Sequence, residues 1–200
     1  MTQARPTDVN SPSAGVTELQ LLERVREGDA PGMRLFYERY AGYLTAVGSR
    51  YIVDRDMLKD VLQESFIKIF GHIGEFEYRG EGSVRAWVTR IVVNHALKAL
   101  RRSNKTLSYV GDLPDREAEE DQEDPSGWSR IPPQVLQDMI RSLPDGYRAV
   151  FNLYVFEKKS HKQIADLLGI KEDSSASQFF RARATLAKKI KAYIKEHDNE

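Results

Sequence analysis

Cysteine is absent, which excludes disulfides, thiolate nucleophiles and cysteine-ligated zinc. No run of about 18 apolar residues occurs, so no membrane-spanning helix is expected. Residues 1–16 lack the apolar stretch of a signal peptide; polar and Pro/Ser-rich, they read as a disordered tail. With no cysteine and no leader, a cytoplasmic location is expected. The four histidines, His72, His95, His161 and His197, are scattered and read as surface or capping residues. No phosphate loop, nucleophile elbow or paired-histidine metal motif is present. The chain therefore does not read as an enzyme, and no catalytic residue, metal or cofactor is expected. Alternation of the kind that marks strands is not convincing anywhere.

Acids, too, are missing from two stretches. Val84 to Lys105 holds six bases and no acid, and so does Phe179 to Lys195. Between them, Asp112 to Asp124 holds eight acids and one base, Arg116. A net charge of zero hides this segregation. Two basic segments around an acidic one suggest a polyanion held at two places, although solvated helix faces would carry the same charges.

What is present is helical. Thr17 and Gln20 form a capping box ahead of Leu19, Leu22 and Val25. Asp29 can cap a second helix, with Pro31 tolerated in its first turn and Met33, Phe36, Tyr40, Leu44 and Val47 as its apolar stripe. A third helix is expected from about Asp54 to Phe70, with Leu58, Val61, Leu62, Phe66 and Ile69 on one side. Gly71, Gly74, Gly80 and Gly82 punctuate a loop, and a fourth helix follows from about Ser83 to Arg102. Residues 104–131 lose apolar periodicity and read as a flexible acidic linker. A second helical set occupies about Gln134 to Glu196, broken near Pro144, Glu157–Ser160 and Gly169–Asp173. The expected fold is all-α, with two small helical domains (17–103 and 132–196) on that tether.

Two constellations bear on function. Ser160 and Gln163 form another capping box, Gly169 can close the helix in the left-handed region, and Ile170 can plug the corner. A second helix then begins at Asp173 or Ser174 and runs through Lys189. That is helix-turn-helix grammar, in which the second helix enters the major groove and its first residues meet base edges. Here those residues are Ser174, Ser175, Ser177, Gln178 and Arg181. A plain helical hairpin is the bland alternative. Further upstream, Phe76, Tyr78 and Trp87 interleave with Arg79 and Arg85, a pattern suited to stacking and holding single-stranded DNA. Phe76 and Trp87 could equally be core residues. For Trp87 that is the stronger reading, because Val84, Val88 and Ile91 share its side; Asn94 is the better base-contact candidate.

These segments combine into a family pattern. Asp56 to Phe66, through Asp60, Val61, Gln63, Glu64 and Phe66, resembles the polymerase-binding helix of extracytoplasmic-function (ECF) sigma factors of the sigma-70 family. Arg79-Gly80-Glu81, Arg85, Trp87, Arg90-Ile91 and Asn94 resemble that family's minus-ten recognition element. Leu143-Pro144, Tyr147-Arg148, Val150-Phe151, Ile164-Ala165, Leu168-Gly169-Ile170 and Arg181-Ala182-Arg183 resemble its minus-thirty-five domain. The pattern departs at Lys171, where a small hydroxyl residue usually caps the recognition helix, so that the cap is expected to shift to Asp173. It departs again at Ser175, where a Val commonly packs, and at Gln178, where a base is common.

The resemblance implies a factor that binds core RNA polymerase and promoter DNA, helps melt the minus-ten element and directs initiation. An anti-sigma protein is a candidate third partner, and membrane insertion is not expected. It implies polymerase contacts at Asp60, Gln63, Glu64, Phe66 and Lys68. Minus-ten contacts would fall to Phe76, Arg79, Ser83, Arg85, Arg90, Asn94, Lys98, Arg101 and Arg102. Minus-thirty-five contacts would fall to Lys162, Gln163, Ser174, Ser175, Ser177, Gln178, Arg181 and Arg183. A simple repressor using the helix-turn-helix alone would need neither the aromatic-basic segment nor the Asp60/Gln63/Glu64 face. An adaptor that only binds protein would need neither basic segment.

Overall fold

The computed structural model describes residues 15–103 and 131–197. The expected linker and most of the expected N-terminal tail lie outside the described residues. Among those described there are eight α-helices and no strand. None of the helices is long and apolar enough to cross a membrane.

The first group comprises α1 (Glu18–Arg26), α2 (Ala30–Ser49), α3 (Arg55–His72) and α4 (Ser83–Ser103). Local capping sets three of the four starts. Thr17 Oγ1 accepts from the Gln20 amide at 3.2 Å while Gln20 Oε1 accepts from the Thr17 amide at 3.0 Å. Asp29 accepts from the Gly32 amide, and Asp54 accepts from the Met57 amide at 2.8 Å. These bonds satisfy amides that a helix start leaves without an intrahelical acceptor. The fourth start differs. Glu18, 5% exposed, reaches α4 from α1: its carboxylate accepts from the amides of Gly82 at 2.8 Å and Arg85 at 3.4 Å, and from the Tyr40 hydroxyl at 2.9 Å.

The stripe expected on α2 is buried at Phe36, Tyr40, Leu44 and Val47, and packs with Val61, Phe66 and Ile69 of α3 and Val88, Val92 and Ala96 of α4. Leu19, although at helical spacing with Leu22 and Val25, is 38% exposed; Leu21 takes its place inside. Trp87 is half-buried and stacks on Phe76 with ring centroids 4.7 Å apart, so the packing reading of both rings holds in part. The Arg26 guanidinium fastens the intervening loop by donating to the carbonyls of Ile73 and Phe76.

The second group comprises α5 (Pro133–Arg141), α6 (Asp145–Val155), α7 (His161–Leu168) and α8 (Glu172–His197). Leu143, Phe151, Ala182 and Leu186 form its own apolar cluster. The Ser160/Gln163 capping box starts α7, and Gly169 closes it at φ 69°, the left-handed conformation available to glycine without a Cβ clash. α8 begins at Glu172, ahead of the expected start, with the Ser175 amide donating to Lys171 O at 3.0 Å. Lys171 thus stands just before the helix, and Asp173 lies within its first turn.

The two groups are in contact. Ala149, Val150 and Leu153 of α6 and Ile164 and Leu168 of α7 belong to the apolar cluster that holds α1–α4 together. The two helical groups thus share one apolar cluster in addition to the second group's own.

Candidate polymerase and DNA interfaces

The exposed side of α3 carries the first candidate surface. Asp60, Gln63, Glu64 and Lys68 are all exposed. At about 100° per residue, Asp60, Gln63 and Glu64 share one face of roughly 100°. Ile67 falls on that face and is 67% exposed, and Tyr37 of α2, 52% exposed, has its ring 4.7 Å from that of Phe66. Phe66 itself is 8% exposed and belongs to the core, so the expectation that it meets a partner directly is corrected: it supports Tyr37 from beneath. Ile67 and Tyr37 were not singled out from sequence. The available signal was that Ile67 lies off the stripe of Leu58, Val61, Leu62 and Ile69, where an apolar residue has no core to enter.

His95 ties α3 to α4 behind this surface. Ser65 donates its hydroxyl proton to Val61 O at 2.6 Å, which leaves its oxygen to accept from His95 Nδ1–H at 3.2 Å. Burial holds the imidazole below its ordinary pKa; Lys68 and Lys98 lower it further, and Glu64 opposes them.

The second surface runs along α4. Arg90, Asn94, Lys98 and Arg101 are exposed and fall within roughly 80° of helix surface. None of these bases is ion-paired to another described residue. Arg102, also exposed, flanks them. Arg85 lies elsewhere: its guanidinium sits over the Tyr43 ring, 4.0 Å from the centroid. In the preceding loop Arg79 pairs with Glu77 at 2.8 Å, and its amide donates to Ser83 Oγ at 3.3 Å. Gly80 and Gly82 turn the chain here at φ 109° and 85°, values that a Cβ would strain. The expected minus-ten set is thus split between a loop (Phe76, Arg79, Ser83) and a helix stripe, with Arg85 apart from both.

The third surface is the start of α8. Asp173, Ala176, Ser177 and Phe180 are exposed along one side, Phe180 to 55%, and Ser174 and Arg181 are half-buried beside them. Lys162 and Gln163 are exposed on α7, where the Gln163 side chain is engaged in the capping box. Arg183 is exposed and stacks at 5.9 Å over Phe179.

Ser175 and Gln178 are the corrections on this helix. Ser175 is 0% exposed and its hydroxyl meets His161 Nδ1 at 3.0 Å; Gln178 is 2% exposed. Gln178 packs so tightly on α6 that a Cβ at Gly146 would lie 2.7 Å from its Oε1. Neither side chain reaches a base edge from there. Both fall on the side of α8 shared by Ala182 and Leu186, and that side is turned inward. Ala176 and Phe180, the exposed apolar residues at this end, were not singled out from sequence.

A helix-turn-helix, joined to a helical group whose α4 stripe carries bases not ion-paired to any other described residue, suits a DNA-binding protein. Comparison with known proteins narrows that class. The model of the family "Sigma-70 region 2" matches residues 36–106, and that of "Sigma-70, region 4" matches residues 134–186. The ECF RNA polymerase sigma-E factor of Haemophilus influenzae is 32% identical over 188 residues, covering 88% of this chain and 96% of the relative. The RNA polymerase sigma-H factor of Pseudomonas aeruginosa is 30% identical over 187 residues, covering 88% and 95%. Among solved structures, CnrH in complex with the cytosolic domain of CnrY aligns with a TM-score of 0.45 at 20% identity, over 86% of this chain and 96% of that one. The chain belongs to the ECF group of the sigma-70 family. Such a factor recognises promoters and initiates transcription through RNA polymerase, and is not itself an enzyme.

Proposed function

We propose that the three surfaces divide the work of initiation. The α3 face, with Asp60, Gln63 and Glu64 around Ile67, docks on basic polymerase residues, and Tyr37 and Ile67 supply the desolvated centre that acidic rim residues alone lack. The loop from Phe76 to Ser83 and the stripe Arg90–Asn94–Lys98–Arg101 take the melted minus-ten strand, the bases of the stripe following phosphates and Asn94 addressing a nucleobase. The start of α8 reads the upstream duplex. There Ser177 can hydrogen-bond a base edge, and Ala176 and Phe180 suit the apolar methyl of thymine.

The observation that carries this reading is the stripe on α4: three exposed bases around one amide, none of them ion-paired to a described residue. Phosphate is the ligand such a stripe fits, since neutralised phosphates release counterions. The work is done in the cytoplasm, where polymerase and promoters are found. An anti-sigma protein, as a third partner, would compete with polymerase for Tyr37 and Ile67.

Run-off transcription with core polymerase on genomic DNA tests the reading. Transcripts that start only when this chain is added, from promoters sharing two spaced elements, are expected. An identical transcript set with and without the chain would overturn it.

A further inference from the structure

His161 opens α7, Ser175 lies in the first turn of α8, and the two side chains meet across the helix-turn-helix. Imidazole Nδ1 and the serine Oγ are 3.0 Å apart. The surroundings of Ser175 decide which atom donates. Its side chain is buried, and no other described residue bonds its Oγ. If the ring donated, the hydroxyl proton would be buried without an acceptor, which is costly. The hydroxyl therefore donates, Nδ1 accepts, and the neutral ring carries its proton on Nε2. Ser65 and His95 have the opposite arrangement: there the hydroxyl proton goes to Val61 O, so the ring donates.

The ring is held on its faces as well. Tyr154 stacks on it at 4.9 Å and 20°, and Phe179 lies 5.8 Å away at 57°. Turning the ring over would take Nδ1 from the Ser175 hydroxyl. Nε2 bonds to no described residue. It is also not one of the buried side-chain atoms without a partner, which among the described residues are Tyr51 Oη, Asn152 Oδ1 and Gln178 Oε1. The Nε2 proton is therefore open to solvent. Its place is beside the turn of α8 that carries the reading positions. Ala176 and Arg183, both exposed, lie within about 60° of Phe179 around that helix. Lys162, next to His161 on α7, is exposed too.

We propose that His161 donates Nε2–H to one phosphate of the upstream duplex, and that Ser175, buried and out of reach of DNA, is the positioning residue that keeps the proton on that nitrogen. The inference rests on the assignment of α8 to that duplex. In a helix-turn-helix the first helix crosses the DNA backbone while the second enters the groove, which sets the start of α7 against phosphates. A neutral donor has a different task from the bases around it. Lysine and arginine neutralise phosphates and release counterions. An imidazole N–H fixed in direction suits one position of the backbone, and so sets the register in which Ser177 and Phe180 meet base edges. The hydroxyl at position 175 thereby does what the Val common there in the family cannot.

Long-range nitrogen–proton spectra of the full chain read the tautomer without DNA. The wild type should show Nε2–H at His161; Nδ1–H there would overturn the proposal. Ser175→Val should show both forms, and Ser175→Thr, of the same shape with the hydroxyl restored, Nε2–H alone. Binding of holoenzyme to promoter duplex reads the contact. His161→Phe keeps a ring between Tyr154 and Phe179 and should weaken binding about tenfold. The preferred upstream sequence and the salt slope should not change, because no charge is lost. Ser175→Val should weaken binding about threefold, since the donating state then shares the population with others, and Ser175→Thr should not weaken it. His161→Phe with Ser175→Val should lose no more than His161→Phe, and carries the test if that single variant fails to fold. Methylphosphonate placed at each upstream phosphate in turn should reveal one position that weakens the wild type and not His161→Phe. Wild-type affinity in His161→Phe, or no such position, would overturn the contact. A salt slope lowered by about one would mean a charged ring and overturn the neutral donor. Equal losses in Ser175→Val and Ser175→Thr would overturn the positioning role. Failure of the α8 assignment would appear separately, as a parent holoenzyme that selects no upstream sequence.

Discussion

Glu18 Oε2 accepts a hydrogen bond from the Gly82 amide at 2.8 Å, across 64 residues of chain. The first helix thereby caps the fourth, and the loop that carries Phe76 and Arg79 is anchored at the point where it enters α4. A buried carboxylate with three donors stabilises in proportion to what its removal would leave unpaired. Glu18→Ala should lower unfolding free energy by about 2–3 kcal/mol, because the Tyr40 hydroxyl and two amides lose a charged acceptor. Glu18→Gln, which keeps one oxygen, should cost about half as much. Urea unfolding of each variant measures this, and a change below about 0.5 kcal/mol for Glu18→Ala would contradict the role of the cap.

His95 predicts a pH dependence. Burial first, then Lys68 and Lys98, hold its pKa below 6.5 in the folded protein. The unfolded chain therefore takes up the proton first. Stability is complete above about pH 6.5 and declines as pH falls through the folded pKa, below which the penalty is constant. His95→Gln should flatten that part of the profile of melting temperature against pH. Parallel profiles for the two proteins between about pH 7.5 and 5 would refute the linkage.

Polymerase docking should depend on an apolar centre as well as on charge. Asp60→Ala with Glu64→Ala should weaken binding to core polymerase and raise its salt sensitivity. Ile67→Ser should weaken it by about tenfold or more, the scale expected when a buried interface anchor is truncated. All these side chains are exposed in the free chain, so melting temperatures should be unchanged. Retained affinity in Ile67→Ser would place the interface elsewhere.

On the α4 stripe, Asn94→Ala should reduce open-complex formation more than polymerase binding, whereas Lys98→Ala should weaken promoter DNA of any sequence. Arg79→Ala tests the loop in the same assay. Permanganate footprints of the bubble that are identical in all three variants would remove this surface from minus-ten recognition.

The start of α8 separates base reading from packing. Phe180→Ala and Ser177→Ala should alter the preferred upstream sequence, with a loss of about 1–3 kcal/mol at the base concerned. Lys188→Ala, further along the exposed side, should lower affinity for all sequences alike and reduce the salt slope by about one. Gln178→Ala should lower stability and leave the preference unchanged, since that side chain is interior. A selection from randomised upstream elements with holoenzyme reads all four. The same sequence logo from Phe180→Ala as from the parent would exclude α8 as the reader in this orientation.

The local signals were legible in the sequence. The Thr17–Gln20 and Ser160–Gln163 boxes, the cap at Asp29, the left-handed Gly169 and most of the α2 stripe depend on residues a few positions apart, and each appears as read. The family pattern was legible for the same reason, being carried by short motifs in order. Which side of a helix faces inward was decided only by the tertiary structure. Ser175 and Gln178 are polar and sit among readable positions, yet α6 lies against their side of α8; Ile67 and Phe180 are apolar, yet nothing among the described residues covers them. Periodicity gives the spacing of a face but not its partner, and a polar residue with a buried partner has the same sequence signature as one awaiting DNA. The cap from Glu18 to α4 and the hydrogen bonds from Arg148 and Asn152 to the carbonyls of Tyr51 and Arg50, just past the end of α2, were beyond reach for a related reason. They join groups 64 to 102 residues apart, and a backbone amide or carbonyl carries no side-chain identity from which its distant partner could be inferred.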